Sequence, residues 1–463
     1  MAISRYRIPA AFHIAGSFAM LLAATLLPLA GCSKSDDAAA TADAAAAAET
    51  GPDDAQTRRA EAIAKAVAEG KTVVTPEQTV VAADTLIKQG RNVAANKLLT
   101  AALTVDPTLA EAHMLKATIY MGSNLPSRAI ASISKAIELK PDSAAYRTIR
   151  GRYLLGQQAY QQALADFDAA LASDASYAPA HNHRGLVNVA VSRHEDALAD
   201  FNAAIASKPD FAEAFANRGY VQLRLDKQSA ALADFDKAIE INPNYVDAYN
   251  NRGMALMTMD RAADAVADFT RAIELAPGRV ASYIRRAKAY EASGDASAAQ
   301  ADRDEVVWLR QLAALTQRIR RDPAVVKHYL DRSKLLHRHG NTADAVADLD
   351  RALAQNAEST EAMVAKARLL AEIDRGDEAI ALCDQALGLE SNPVAYSVRG
   401  DVLYGRGEFA RAISDYESAQ RLDSQVAKAY YEHSKQLQQS GQIQQASAAF
   451  ETARQIDPTI ETR

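Results

Sequence analysis

Cysteine is nearly missing from this chain: 463 residues hold two, Cys32 and Cys383. Two thiols cannot build a disulfide framework or a four-ligand zinc site. Positive charge is not in excess. Fifty-two basic against 58 acidic side chains leave a formal charge of −6, whereas a nucleic-acid binder needs a basic face to displace counterions from phosphates. A Gly-rich phosphate loop, HExxH and GxSxG are all lacking, and with them the usual handles for phosphoryl, zinc-protease and serine-hydrolase chemistry. The apolar run from Phe18 to Ala30 is too short to span a bilayer well, and Pro28 interrupts it. What is present excludes wholesale disorder, because apolar content is high and net charge small for this length. The length alone would suggest about three domains.

Arg5 and Arg7 precede the apolar run, and Leu29-Ala30-Gly31-Cys32 follows it. This resembles the lipobox of bacterial lipoproteins, in which small residues precede a cysteine that is acylated and becomes the new N-terminus. The resemblance implies a signal peptide over residues 1–31 and lipidation at Cys32. Several acyl chains would hold the protein to a membrane, each buried methylene adding about 0.8 kcal/mol. Ser33, not an aspartate, follows the cysteine, which implies the periplasmic face of the outer membrane. Residues 32–57 contain no large apolar side chain and read as a disordered tether. Residues 58–75 read as an N-terminal capping helix.

Beyond this point the chain repeats itself. Pro107, Pro141, Pro209, Pro243 and Pro277 lie at multiples of 34, with Ala175 on the skipped beat. The text between them recurs, as in Ala-Phe-Ala-Asn-Arg-Gly at 214–219 and Ala-Tyr-Asn-Asn-Arg-Gly at 248–253. This resembles the tetratricopeptide repeat, two antiparallel helices to each beat, and the resemblance covers residues 76–460. It implies an all-α, right-handed α-solenoid of about eleven helix–turn–helix repeats, starting at Pro76, Ala110, Ala144, Ala178, Ala212, Val246, Val280, Val326, Thr360, Pro393 and Ala427. The first helix of each repeat (helix A) carries a small residue, glycine at 151, 185, 219, 253 and 400. The second (helix B) opens on alanine in all eleven. Small side chains are needed where helix axes come closest. The step from Pro277 to Pro323 overruns the beat by a dozen positions. Val306, Leu309, Leu312, Ala313 and Ile319 keep a helical period there. One overlong helix over 296–322 is therefore expected, dividing seven repeats (76–295) from four (326–460).

At the seventh position of helix A, where this family usually has a large apolar residue, seven repeats carry arginine: Arg150, Arg184, Arg218, Arg252, Arg286, Arg332 and Arg399. The same seven carry aspartate at a constant distance further on: Asp166, Asp200, Asp234, Asp268, Asp302, Asp348 and Asp415. The other four repeats have neither residue in its place. A half-buried arginine is costly unless paired, and its planar fork suits a carboxylate. These read as structural ion pairs from helix A to helix B, against the alternative of two solvated charges inherited together.

In this family helix A lines the concave wall that faces ligands. Carried over by position, the resemblance puts Asn182, His183, Asn217, Tyr220, Asn250 and Asn251 on that wall. Side-chain amides both donate and accept, so such a row can hold the backbone of an extended peptide. The seventh and eighth repeats instead place Arg285, Lys288, Lys327, Lys334, His337 and Arg338 there. An acidic peptide, a C-terminal carboxylate or an anionic glycan suits that patch. The alternative is a mixed-charge surface, since Glu291 and Asp331 lie among them.

His181/His183 and His337/His339 invite a metal reading, but residues two apart on a helix point roughly 200° from each other. No metal, cofactor or nucleic acid is expected. Cys383 takes an apolar helix-B position and reads as buried. The repeats leave no room for a catalytic domain. The resemblance implies a lipid-anchored periplasmic scaffold that binds a protein or peptide partner and recruits it to secretion, pilus, exopolysaccharide or peptidoglycan machinery. The alternative is an enzyme, or an essential enzyme subunit, acting on cell-wall glycan.

Overall fold

The computed structural model describes residues 52–68 and 74–460. The signal peptide, Cys32 and the tether up to residue 51 lie outside the described residues. Twenty-three helices and no strands occur among the described residues. The chain divides into two compact units, one ending at Pro277 and one beginning at Gly278.

In the first unit α1 (Pro52–Ala68) precedes six helical hairpins: α2 (Pro76–Lys88) with α3 (Asn92–Val105), α4 (Ala110–Gly122) with α5 (Pro126–Leu139), α6 (Ala144–Gly156) with α7 (Tyr160–Ser173), α8 (Ala178–Ala190) with α9 (His194–Ser207), α10 (Ala212–Arg224) with α11 (Gln228–Ile241), and α12 (Val246–Thr258) with α13 (Ala262–Leu275). The second unit holds five: α14 (Val280–Ser293) with α15 (Ala296–Arg321), α16 (Val326–Arg338) with α17 (Thr342–Gln355), α18 (Thr360–Glu372) with α19 (Gly376–Leu389), α20 (Pro393–Gly405) with α21 (Phe409–Ser418), and α22 (Ser424–Gln439) with α23 (Ile443–Ile456). Within each unit successive hairpins stack, an all-α helical-repeat architecture in which each hairpin's apolar face is covered by its neighbour.

Three boundaries differ from the sequence reading. α1 begins at Pro52, inside the segment read as tether, and ends at Ala68. Ala60 is buried in the first core with Ile63, Ala64 and Val67 against it, and helix propagates cooperatively outward from a docked turn. The seventh repeat, grouped by sequence with the first six, lies in the second unit. The last A helix starts at Ser424, three positions before Ala427, because Asp423 accepts from the Gln425 and Val426 amides and caps it there.

The hairpins close by a size rule across each A/B contact. A Cβ placed on Gly151, Gly185 or Gly253 would lie 2.7 Å from the ring of Phe167, Phe201 or Phe269. The same atom on Gly219 or Gly400 would lie 2.8 Å from Phe235 or Tyr416. Where helix A has alanine or serine instead, helix B has something smaller than a ring: Ala83 with Leu99, Ala117 with Ile133, Ser333 with Leu349, Ala367 with Cys383, all buried. Total volume at the contact is thus conserved while its two halves vary. Two repeats depart from this rule: Ala287 is matched in register with Arg303, which is exposed, and Ser434 with Phe450, which is only partly buried.

Every A-to-B turn contains one residue with left-handed backbone, always the fifteenth of its repeat. It is glycine at 90, 294, 340, 407 and 441, and Asn124, Gln158, Ser192, Asp226, Asp260 or Asp374 in the others. The five phase-marking prolines each fall two positions beyond a B helix, where an unpaired imide costs nothing and the helix must stop.

Candidate functional site: the inner helices and their charged contacts

Helix A holds most of the polar side chains singled out by sequence. Arg150, Arg184, Arg218, Arg252, Arg332 and Arg399 lie between their own B helix and the preceding one. Arg150 donates through Nε and Nη2 to Asp166 at 2.8 and 2.6 Å. Arg218 meets Asp234 at the same two distances, and Arg332 meets Asp348 at 2.6 Å twice. Arg286 grips Asp302 at 2.9 and 2.7 Å, as Arg399 does Asp415. Asp200 accepts from Arg184 at 2.7 Å and also from Asn188 at 2.9 Å. The aspartates are buried and the arginines about three-quarters so.

The remaining nitrogen of the fork also reaches back one repeat. Nη1 of Arg150, Arg184, Arg218, Arg252 and Arg332 donates to Ser134, Asp168, Asn202, Asp236 and Thr316, at 2.7–3.1 Å. Arg399 turns to Asp384 in the same way. Lys116 and Lys366 hold this position in repeats that lack the aspartate. Lys116 reaches back to Thr100 at 3.0 Å and Lys366 to Asp350 at 2.6 Å. The hydrogen bond to Asp268 lifts Arg252 above the usual guanidinium value; burial opposes this and the bond to Asp236 adds to it. Sequence spacing pointed to the forward half of this arrangement. The backward half escaped it because the acceptors are chemically mixed: hydroxyl, amide and carboxylate.

The row of amides expected to face a ligand is corrected by the structure. Asn182, Asn217, Asn250, Asn251 and Tyr220 are buried. Asn217 Nδ2 donates to Asn182 Oδ1 at 2.9 Å, and Asn250 Nδ2 to the Val246 carbonyl at 3.1 Å. The adjacent helices α8 and α10 approach closely enough for Asn182 and Asn217 to bond each other, and Asn250 bonds within its own helix. His183 is partly buried and stacks against Phe167 with ring centroids 6.0 Å apart. His181 instead faces Asp200 and the Ala175 carbonyl, so the two imidazoles diverge.

In the second unit Lys288, Lys327, Lys334 and Arg338 are exposed, and Arg285 is half-buried. Acidic neighbours offset the patch: Lys334 pairs with Glu361 at 3.2 Å, His337 with Glu372 at 3.3 Å, and His339 with Glu305 at 2.8 Å. His339 also stacks on Trp308 of the long helix α15, centroids 3.7 Å apart. Cys383 is buried, and burial pushes its thiol up to about 12, so it stays protonated and unreactive.

A site the sequence reading missed lies further along this unit. A cavity of about 730 Å³ opens between α18 and α20, lined among others by Arg368, Glu372, Ser397, Asp401, Arg406 and Arg421. Arg421 Nη1 donates to Asp401 at 2.7 Å and to Ser397 at 3.0 Å. Arg406 pairs with Asp377 at 2.7 Å. Tyr416 donates to Asp401 at 2.9 Å; burial and that carboxylate raise its phenol. Both signs of charge line the cavity, which suits a polar chain with amides and side chains of either sign. The signal was weak because the lining comes from helices and turns of two repeats.

Family models for the tetratricopeptide repeat match residues 86–153, 212–245, 235–267 and 336–400. Anaphase-promoting complex subunit 7 of Mus musculus is 37% identical over 75 residues, 16% of this chain; the match spans 13% of that protein's length. Among solved structures, PilW, described as a widely conserved type IV pilus biogenesis factor, is 20% identical, covering 43% of this chain and 92% of that one with a TM-score of 0.40. Pseudomonas aeruginosa pilF is 20% identical over 48% of this chain and 96% of its own, TM-score 0.38. YrrB, described as a TPR protein with an unusual peptide-binding site, is 24% identical over 39% and 92%, TM-score 0.32.

Proposed function

We propose, given that the chain is a tetratricopeptide repeat protein, that it is a scaffold that holds a protein or peptide partner against its A helices. The cavity between α18 and α20 carries this reading. It is open, lined by side chains able to donate and accept, and built from the helices that stack from repeat to repeat. Among the described residues no three His, Cys, Asp or Glu side chains gather as a metal site, and none of the matched families is an enzyme family. The lipobox at 29–32 supports a lipid anchor on Cys32 at the periplasmic face of the outer membrane. From there the scaffold recruits its partner to an envelope assembly of the secretion, pilus, exopolysaccharide or peptidoglycan kind.

A photo-crosslinking residue placed at Arg368 or Ser397, in the cell that makes the protein, tests the binding half. A discrete partner should be captured there and not from Gln355, exposed at the end of α17. Equal capture from all three positions, or none, refutes it. Mass spectrometry of the membrane-extracted protein tests the anchor: an acylated N-terminal Cys32 is expected, and an unmodified cysteine refutes it.

A further inference from the structure

Helix α15 departs furthest from the chain's own pattern. It has 26 residues, where the B helix before it has 14. Over its second half Trp308, Leu312 and Ile319 pack into the core of the second unit. Arg310, Arg318, Arg320 and Arg321 are exposed on the remaining surface. From 310 to 321 the helix holds those four arginines and no acid, in a chain whose formal charge is −6. α15 is a B helix, so this face is not part of the row of A helices on which the scaffold reading rests.

The ordinary causes of such a cluster cover only part of it. Basic side chains in a last turn oppose the helix dipole, which accounts for Arg318, Arg320 and Arg321. That effect dies away within one turn, and Arg310 lies about three turns from the end. Ion pairing accounts for none of the four. Arg303, nearer the start of the helix, has Glu291, whereas no carboxylate among the described residues lies within ion-pair distance of Arg310, Arg318, Arg320 or Arg321. At about 100° per residue, Arg310, Arg318 and Arg321 fall within roughly 80° of arc and roughly 16 Å of length.

The shape and chemistry of this face choose its occupant. Between the arginines stand Gln311, Ala313, Ala314 and Gln317, all exposed. The face therefore lacks the large apolar anchor on which protein interfaces depend. A convex rod has no concavity to enclose a small ligand. Guanidinium forks match phosphate oxygens in pairs. An extended sheet of phosphates meets all three conditions.

We propose that Arg310, Arg318, Arg320 and Arg321 dock the outer face of α15 on an anionic phospholipid bilayer, with the guanidinium groups on the lipid phosphates. This goes beyond the scaffold reading and does not depend on the acyl anchor. Beside such an anchor it would be the second signal that makes membrane attachment lasting.

The test uses the whole chain carrying Cys32→Ser, so that no acyl group contributes. It is sedimented with vesicles of phosphatidylcholine, alone or mixed with an equal part of phosphatidylglycerol. The protein should prefer the mixed vesicles and lose that preference at high salt. Arg310→Gln, Arg318→Gln and Arg321→Gln together should weaken this binding roughly a hundredfold, at about fivefold for each arginine. Arg310→Lys, Arg318→Lys and Arg321→Lys together should keep most of it, which separates lost charge from lost folding. Lys135→Gln, Arg261→Gln and Arg271→Gln remove as much charge from exposed positions that already have acids, and should leave binding nearly unchanged. No preference for phosphatidylglycerol, or an equal loss from both glutamine triples, overturns the proposal. So does loss of the preference when inorganic phosphate replaces chloride at constant ionic strength, which would make the arginines a site for free anions.

Discussion

Arg252 and Asp268 face each other through two parallel hydrogen bonds of 2.9 and 2.6 Å, and the third nitrogen of the same guanidinium reaches Asp236 in the preceding repeat at 2.7 Å. One side chain therefore joins three helices. Its two partners lie equally far before and after it in sequence. Such a centre is bidentate on its buried side and more exposed on the other, the geometry in which guanidinium outperforms ammonium.

The equivalent pair one repeat earlier gives a direct test. Asp234→Ala should lower the stability of the first unit by about 1–4 kcal/mol, because Arg218 is left largely buried without its acid. Replacing both by apolar residues, as in Arg218→Met with Asp234→Leu, should cost much less. Urea denaturation of the four proteins in the cycle measures this, and zero coupling would mean the two charges act independently.

Gly185→Ala should destabilise by about 1–3 kcal/mol, since its new methyl would meet the Phe201 ring at 2.7 Å. Adding Phe201→Leu should restore part of that loss, reproducing the alanine–leucine contact of Ala83 and Leu99. Thermal melts of the single and double variants decide it. If the double variant melts below both singles, the size rule has no energetic basis.

Gln158 and Ser192 adopt left-handed backbone without the local side-chain chemistry that helps Asn and Asp do so. Gln158→Gly or Ser192→Gly should each stabilise by roughly 0.5–1 kcal/mol, after the entropic cost of glycine is deducted. Asp260→Gly at the same position should change little. Denaturant midpoints that rank the three in the opposite order would refute the strain argument.

His183 gives the first unit a sign-defined dependence on pH. Its ordinary value of 6.5 falls to about 3 in the folded protein, chiefly through burial. The unfolded chain binds a proton in that window and the folded chain does not. Stability is therefore complete above the unfolded value and is lost as pH falls toward the folded one. The difference between wild type and His183→Gln in urea midpoint, followed from about pH 7 to about pH 4, should widen in favour of the variant as the pH drops. A constant difference would show that the ring does not titrate this way.

The repeat register, helix order and forward ion pairs were legible because each is carried by one residue type recurring at fixed spacing, such as Arg218 with Asp234. Other features were written in the chain but in mixed letters. The left-handed turn position is filled by Gly90, Asn124, Gln158, Ser192 and Asp226 in succession, so no single residue type marks it. The glycine–ring contacts vary jointly, and only the pair is constrained. The inner wall was misread for a different reason. Asn182 and Asn217 occupy positions that face ligands in the family, but whether an amide meets solvent or another amide depends on how closely neighbouring A helices approach. Spacing along one helix does not contain that distance.

Because Arg150, Arg184, Arg218 and Arg252 look both ways with the same stride, a whole repeat among them can be removed without leaving a charge stranded. Excising residues 212–245 would bring Arg252 to the Asn202 amide that Arg218 now occupies, and leave Asp268 in its grip. Unequal recombination between such segments would lengthen or shorten the protein in units of one hairpin, with the new junction already furnished. Growth by copying is thus permitted by the same side chain that holds each copy to the last.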